Sequence, residues 1–284
     1  MEKIGFIVDS TVYLPKEYLE KNDIRVVSLN IIDGDETYKE TEIDKEFIFA
    51  RQAEKSKLTS SQPSPSEFLA AYEDAFKAGY EKVLVLCLSK GLSGTYQSAI
   101  LAKNMLKKPE DVIVFDGENA AYGNEILALK VVDLIKEKKS VDEILTIMNE
   151  IFKRTELMFT VENLFSLQKG GRLSKTQALL GTVLRVKPVI KLVDGKLKLY
   201  HKERTNKKLH QFFIDEINKD PFNTEDRKLH VRIIQIDSEE NLEHLLELVK
   251  QNFKDPDITI QDYLGPVFTL HVGPKGFGLC WYFE

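Results

Sequence analysis

The sequence predicts an α/β protein of two domains: an N-terminal domain with a parallel sheet flanked by helices, and a C-terminal mixed α+β domain with antiparallel strands. Its 284 residues exceed the usual size of a single domain. The first half alternates short Val-, Ile- and Leu-rich runs with amphipathic helical patterns, whereas the second half contains strand–turn–strand patterns. We expect the N-terminal domain to cover residues 1–156 and the C-terminal domain to cover residues 157–284.

Apolar runs and helical patterns alternate through the N-terminal domain. The runs are continuous, as in strands buried on both faces of a parallel sheet. The predicted strands are Ile4–Val8, Arg25–Ile32, Lys82–Leu88 and Asp111–Phe115. Apolar residues at three-and-four spacing indicate crossover helices between and after these strands. The predicted helices are Asp44–Ala53, Ser66–Ala78, Thr95–Leu106, Tyr122–Lys138 and Val141–Arg154.

The C-terminal domain begins with a different pattern. Pro188–Arg204 contains two apolar alternations around Asp194-Gly195, a pair that is a strong signal for a β-hairpin. The elements predicted after it are a strand at Leu229–Ile236, a helix at Leu242–Phe253 and strands at Ile258–Tyr263, Phe268–Val272 and Leu279–Phe283.

Composition excludes several classes of protein. The net charge is −5 and the charged residues of both signs are interspersed, so neither nucleic acid nor an anionic membrane surface is a favoured partner. No run approaches the roughly 20 apolar residues of a membrane span. We expect a cytoplasmic protein with at most transient membrane contact. Cys87 and Cys280 both lie in apolar runs, which indicates reduced core thiols rather than a disulfide or a metal site.

Two loops of the N-terminal domain are rich in hydroxyl groups. Thr59, Ser60 and Ser61 precede a capping box at Ser64–Glu67, where backbone N–H groups attract an anionic oxygen. The second loop, within Leu88–Ala99, follows a predicted strand and therefore lies at the carboxyl edge of the sheet, where open α/β folds bind ligands.

In that second loop, Gly91 and Gly94 allow close approach of the backbone, and Ser93 and Thr95 offer neutral donors. The alternative for both loops is ordinary capping and turn chemistry, with Thr95 as a helix N-cap and Gly91 as a turn residue. The loop lacks the Lys-Ser/Thr ending of a P-loop, and GxGxxG does not occur in the sequence.

Two further candidate sites lie in the C-terminal domain. Lys169, Arg172 and Lys175 surround Gly170-Gly171 and are suited to clamp a phosphate; the alternative is a helix C-cap at Gly170 with solvated charges. His271 occupies a predicted apolar strand, where a histidine is more often a satisfied core residue than a functional one. The motifs GxSxG and HExxH do not occur, and the five histidines lack metal-ligand spacing.

Taken in order, these loops resemble the DegV family of bacterial fatty-acid-binding proteins. The family's early "DS" corresponds to Asp9-Ser10, and its "LSGTYQSA" occurs unchanged. The five elements after "DS" lie here as follows: "TSQPSP" at Ser60–Pro65, "LSGTYQSA" at Leu92–Ala99, "LxKGGR" at Leu167–Arg172, "LxxKP" at Leu184–Pro188 and "HxGP" at His271–Pro274. The resemblance spans Asp9 to Gly278, and six motifs in register are specific although each is weak alone.

The resemblance implies a long-chain fatty acid bound between and within the two domains, without a metal or another cofactor. Its carboxylate would be held by Ser60 and Ser93, with His271 close by. Neighbouring candidates for the same ligand are Ser61, Gly94 and Thr95. The family usually has Thr at the position of Ser60, and Thr59 adds a further hydroxyl, so the direct contact is open among residues 59, 60 and 61. Gly117 also departs from the family's usual Asp-Ser pair at residues 116 and 117.

The family resemblance further implies a carrier without catalysis of its own. A separate ATP-dependent fatty-acid kinase would phosphorylate the carboxylate to an acyl phosphate for phospholipid synthesis, with Arg172 and Lys169 near the kinase contact or the transferring phosphoryl group. The alternatives are a stand-alone acyl-phosphate or ester hydrolase using Ser93 as nucleophile and His271 as base, and a lipid-responsive regulatory module.

Overall fold

The computed structural model describes residues 2–174, 186–261 and 263–284. Lys175 and the beginning of the LxxKP motif at Leu184 lie outside the described residues. The chain divides into two compact units: the first comprises Met1–Lys153 and Gly265–Val267, and the second comprises Arg154–Leu264 and Phe268–Glu284. A three-residue segment from late in the chain therefore belongs to the first unit.

A four-stranded parallel sheet forms the centre of the first unit, in the order β2-β1-β6-β7. Apolar clusters cover both of its faces, which explains the uninterrupted apolar runs of the sequence. The strands of this unit are β1 (Ile4–Asp9), β2 (Ile24–Val27), β3 (Asn30–Asp33), β4 (Glu36–Lys39), β5 (Thr59–Ser61), β6 (Lys82–Cys87) and β7 (Val112–Asp116). The predicted parallel sheet is confirmed.

The predicted single strand at Arg25–Ile32 is wrong. The strand β2 ends at Val27, and β3 belongs to a separate antiparallel sheet in the order β4-β3-β5. Leu29 lies between them: its N–H donates to Ser10 Oγ at 3.0 Å, and its carbonyl accepts from the N–H of Glu40 at 2.9 Å. Both backbone groups are therefore paired outside a sheet, and an apolar run contains no signal for such a change of partner.

Amphipathic helices complete the first unit: α1 (Lys16–Lys21), α2 (Lys45–Ala53), α3 (Pro65–Lys77), α4 (Thr95–Lys103), α5 (Tyr122–Lys136) and α6 (Val141–Arg154). The predicted capping box at Ser64 and Glu67 is confirmed, because each side chain bonds the other residue's backbone N–H. This box fixes the start of α3 directly after the hydroxyl-rich residues 59–61.

The second unit contains a six-stranded sheet in the order β10-β9-β8-β13-β11-β12, in which only the pair of β11 and β12 is parallel. Its strands are β8 (Glu156–Thr160), β9 (Lys187–Val193), β10 (Lys196–Glu203), β11 (Leu229–Gln235), β12 (Asp257–Gln261) and β13 (Phe277–Phe283). The described helices are α7 (Phe165–Lys169), α8 (Asn206–Asn218), α9 (Glu239–Asn252) and α10 (Pro266–Val272). The predicted hairpin at Asp194-Gly195 and the mixed α+β class are confirmed.

The predicted strand at Phe268–Val272 is wrong, because this segment is the helix α10. Pro266 is the first residue of the helix, where its fixed φ is favourable and its missing N–H costs nothing. Gly273, with φ of +74°, follows the last residue. A short apolar run with β-branched residues fits a buried helix as well as a strand, so the periodicity alone did not separate them.

Cys87 and Cys280 are buried and neither belongs to a disulfide, as predicted. Among the described residues, none of the helices has the length and apolar character needed to cross a membrane. Within the same residues, no group of three or more His, Cys, Asp and Glu side chains could hold a metal ion.

Candidate functional site

The loop after β6 lies at the carboxyl edge of the parallel sheet and is fixed by backbone hydrogen bonds. The N–H of Leu88 donates to Asp9 Oδ2 at 2.6 Å, and the N–H of Ser89 donates to the carbonyl of Asn119 at 2.9 Å. The carbonyl of Ser89 in turn accepts from Leu92 and Ser93 at 2.9 and 3.2 Å. The loop is therefore tied to the ends of two other segments at the same edge.

Two hydroxyl groups meet at the start of α4. Ser93 Oγ lies 2.9 Å from Thr95 Oγ1 and accepts from the N–H of Thr95 at 3.3 Å. Thr95 is fully buried, whereas Ser93 is half-buried. The N-cap is Gly94, so the alternative that Thr95 caps the helix is wrong. Because Gly94 has no side chain, it offers no cap to the N–H groups of the first turn, which attract an anionic oxygen.

The two hydroxyl-rich loops are neighbours. A Cβ atom added to Gly94 would lie 3.1 Å from both Cδ and Nε2 of Gln62, so the amide of Gln62 packs on the Gly94 backbone. Gln62 directly follows β5, which contains Ser60 and Ser61 and pairs with β3. Residues 59–61 are thus a short strand rather than the predicted loop. The structure brings this strand end and the Ser93–Thr95 turn into contact through Gln62.

In the second unit, His271 of α10 packs against the turn after α7. A Cβ atom on Gly170 would lie only 2.6 Å from His271 Nδ1, so glycine is the residue that leaves room for the ring. Gly170 is the C-cap of α7, as the structural alternative predicted. The carbonyl of Gly170 also accepts a hydrogen bond from Arg172 Nη1. Gly170 therefore lies between the imidazole and the guanidinium.

Burial keeps His271 neutral. Loss of solvation, and to a smaller extent the positive charge of Arg172, together lower the pKa of His271 to about 4. Burial also lowers the pKa of Arg172 from its ordinary value. Lys169, at the end of α7, is exposed to solvent. The imidazole can therefore donate one hydrogen bond and accept another at neutral pH, but it supplies no positive charge.

Two buried carboxylates that sequence reasoning did not select lie at the ends of the first-unit strands. Asp9 accepts hydrogen bonds from the N–H of Leu88 and from both the N–H and the hydroxyl of Thr11, and burial raises its pKa. Glu40 accepts from Ser10, Tyr13 and Val267. The Asp9-Ser10 motif drew attention to Asp9, whereas Glu40 lies in a polar run without any motif that indicates a buried residue.

Gly117 lies beside the side chain of Asn124. The side chain of Asn124 is fully buried, and its Nδ2 faces the carbonyls of Cys87 and Asn119 at 3.4 and 3.3 Å. A Cβ atom on Gly117 would overlap Asn124 Oδ1, so a side chain at position 117 would require Asn124 to move.

The fold and the site define a two-unit α/β protein with a hydroxyl-bearing turn at the carboxyl edge of a parallel sheet. The model of the family described as uncharacterised proteins of the DegV family matches residues 3–284. The chain belongs to the DegV family.

Relatives match along their whole length. Protein DegV from Bacillus subtilis is 32% identical over 284 residues, with 99% of each chain covered. The structure of a DegV family protein from Thermus thermophilus, described by its fatty acid binding, has a TM-score of 0.89 at 30% identity and 99% coverage of both chains. The structure of DegV from Bacillus subtilis, described as a fatty acid binding protein, has a TM-score of 0.86 at 31% identity and full coverage of both.

Proposed function

We propose that this protein binds a long-chain fatty acid and that uncharged donors hold its carboxylate. The observation that carries the proposal is the contact of Ser93 Oγ with Thr95 Oγ1 at the start of α4, where Gly94 provides no side-chain cap. Ser60 and Ser61 lie in the strand whose following residue, Gln62, packs on Gly94. Relatives that are described as binding fatty acids share this fold at 30% and 31% identity.

Affinity and orientation come from different parts of such a ligand. Each buried methylene contributes about 0.8 kcal/mol, so a tail of ~15 methylenes contributes roughly 12 kcal/mol before the costs of association. A hydroxyl donor to a carboxylate contributes only ~0.5–3 kcal/mol. The tail therefore dominates affinity, and the hydroxyl groups fix where the carboxylate lies. We assign the neutral His271 as an uncharged hydrogen-bonding group for the ligand.

The protein acts as a carrier that presents the carboxylate to a separate ATP-dependent fatty-acid kinase. In that reaction a carboxylate oxygen attacks the γ-phosphorus of ATP, which gives an acyl phosphate and ADP. Neutral donors suit this role because they orient the carboxylate without a full countercharge that would lower its nucleophilicity. Arg172 and Lys169 supply the positive charge for the kinase contact or for the transferring phosphoryl group, and the carrier itself needs no metal or cofactor.

The binding part of the proposal is tested by titrating delipidated protein with palmitate in a calorimeter. One site per chain is the expected result, and absence of binding contradicts the proposal. Replacement of palmitate by palmitoyl methyl ester in the same titration separates the two contributions, because the ester keeps the tail and removes the carboxylate charge. We expect weaker but measurable binding of the ester.

The carrier role is tested by adding ATP and a fatty-acid kinase from a bacterium with DegV proteins to the loaded protein. Acyl phosphate, trapped with hydroxylamine as the acyl hydroxamate, is expected only when both proteins are present. Hydrolysis of an acyl phosphate or ester by this protein alone, with covalent labelling of Ser93, would instead favour the hydrolase.

A further inference from the structure

The carboxylate of Glu40 is a buried group that the proposed ligand contacts do not use. Glu40 is only 3% exposed, and its carboxylate accepts three hydrogen bonds. Ser10 Oγ donates to Oε2, while Tyr13 Oη and the N–H of Val267 donate to Oε1 at 3.0 and 3.1 Å. A buried carboxylate usually accepts hydrogen bonds from several donors. The three donors to Glu40 come from distant parts of the sequence.

Two of these contacts hold the segment Gly265–Val267. Val267 is the second residue of α10, and its N–H is among those that a helix leaves without an internal acceptor. Tyr13 packs on the same segment, since a Cβ atom on Gly265 would overlap Tyr13 Cε1. Tyr13 itself has a left-handed φ of 55°. Glu40 thus accepts hydrogen bonds both from the backbone at the start of α10 and from Tyr13, whose ring packs on Gly265 just before the helix.

We propose that Glu40 is a positioning residue for the ligand, because its bond to Val267 fixes the start of the helix that carries His271. Val267 and His271 are four residues apart, which is about one helical turn. A change in the orientation of the first turn of α10 therefore displaces the imidazole. This inference rests on the proposed function. Glu40 acts through α10 and does not itself contact the fatty acid.

The charge of Glu40 is not what positions the helix. The titratable groups that face it are the carboxylate of Asp9, which opposes its ionisation, and the phenol of Tyr13, while Ser10 and Val267 present neutral donors. The essential feature is an oxygen acceptor at Oε1, which the amide of glutamine also provides. In Glu40→Gln the amide oxygen takes the place of Oε1 and keeps the bonds from Tyr13 and Val267, while the NH2 group faces Ser10, whose hydroxyl loses its acceptor. Glu40→Ala removes all three bonds.

The experiment measures dissociation of the fluorescent fatty acid cis-parinaric acid together with amide hydrogen exchange across residues 265–272. Loss of this buried hydrogen bond in Glu40→Ala is expected to accelerate both processes by about tenfold. Glu40→Gln is expected to stay within about threefold of wild type. The control is Glu42→Gln, which changes an exposed glutamate of the same 3-10 turn and is expected to have no effect.

Wild-type dissociation and exchange in Glu40→Ala would overturn the inference, as would equal acceleration in Glu40→Gln and Glu40→Ala. If Glu40→Ala does not fold, Tyr13→Phe removes one donor to the same oxygen and must accelerate both processes for the inference to stand. Absence of cis-parinaric acid binding to the wild-type protein contradicts the proposed function, whereas hydrogen exchange still reports whether Glu40 holds α10.

Discussion

The carboxylate of Asp9 accepts a 2.6 Å hydrogen bond from the backbone N–H of Leu88. Asp9 ends β1, Leu88 follows β6, and these two strands are parallel neighbours. The bond therefore attaches the loop that contains Ser93 to the end of the adjacent strand. The same carboxylate accepts two further bonds from Thr11, so both of its oxygens are used.

Replacement of Asp9 by asparagine is expected to destabilise the protein and weaken fatty acid binding. An amide has one acceptor oxygen, so its NH2 group would face either Leu88 or Thr11 and leave a buried donor unpaired. The expected loss is ~1–3 kcal/mol in the free energy of unfolding, measured by urea denaturation. Asp35→Asn, at an exposed position of the same unit, is the control. Equal stability of the two variants would show that the Leu88 bond does not hold the loop.

Ser93→Ala is expected to weaken fatty acid binding by ~0.5–3 kcal/mol, because it removes one donor to the carboxylate and leaves the tail contacts unchanged. Calorimetric titration with palmitate measures the difference. Ser66→Ala removes an exposed serine hydroxyl on α3 and is expected to bind like wild type. Unchanged affinity in Ser93→Ala would remove Ser93 from the site.

The two adjacent glycines after α7 separate a steric effect from a backbone effect. In Gly170→Ala the new methyl group would lie 2.6 Å from His271 Nδ1, so the ring must move and we expect weaker fatty acid binding. In Gly171→Ala the added atom meets nothing within 4 Å, but the φ of +76° costs about 1 kcal/mol of stability. Equal palmitate affinity of both variants would contradict a role for the His271 position.

Stability is expected to depend on pH through His271. The folded pKa of about 4 lies below the ordinary value of 6.5, so the unfolded chain binds a proton between these values and the folded chain does not. This contribution to stability is present above pH 6.5 and is lost as the pH falls toward 4, by up to about 3 kcal/mol. Urea denaturation at several pH values measures it.

The control for that measurement is His271→Gln, which cannot titrate. Its stability should decline less than that of wild type over the same range of pH. Parallel curves for the two proteins would show that His271 is not held neutral by burial.

The sequence predicts those parts of the fold in which local pattern and tertiary role agree. The strands β1 and β6 are buried along almost their whole length and β7 is partly buried, so continuous apolar runs identified them. The Arg25–Ile32 run contained a change of sheet at Leu29, whose cause is the distant hydroxyl of Ser10. The α10 segment is short and apolar, and length is the feature that separates helix from strand in such runs.

In the candidate site too, the sequence predicts residues with a local pattern and misses those whose role depends on distant partners. Ser93 and Thr95 were selected because a strand-to-helix turn with hydroxyls and glycines occurs within one stretch of sequence. Glu40 was missed because its role depends on Val267, 227 residues away. Gly117 is a comparable case, since the space beside it is limited by the side chain of Asn124 and not by the composition of its own turn.

Fatty acid binding is tested most directly by identifying any lipid that the purified protein retains. Organic extraction of the protein followed by mass spectrometry and quantification against protein concentration is expected to give about one long-chain fatty acid per chain. Extracts without an acyl chain, from protein that also takes up no fatty acid when it is added, would show that this protein does not bind fatty acids.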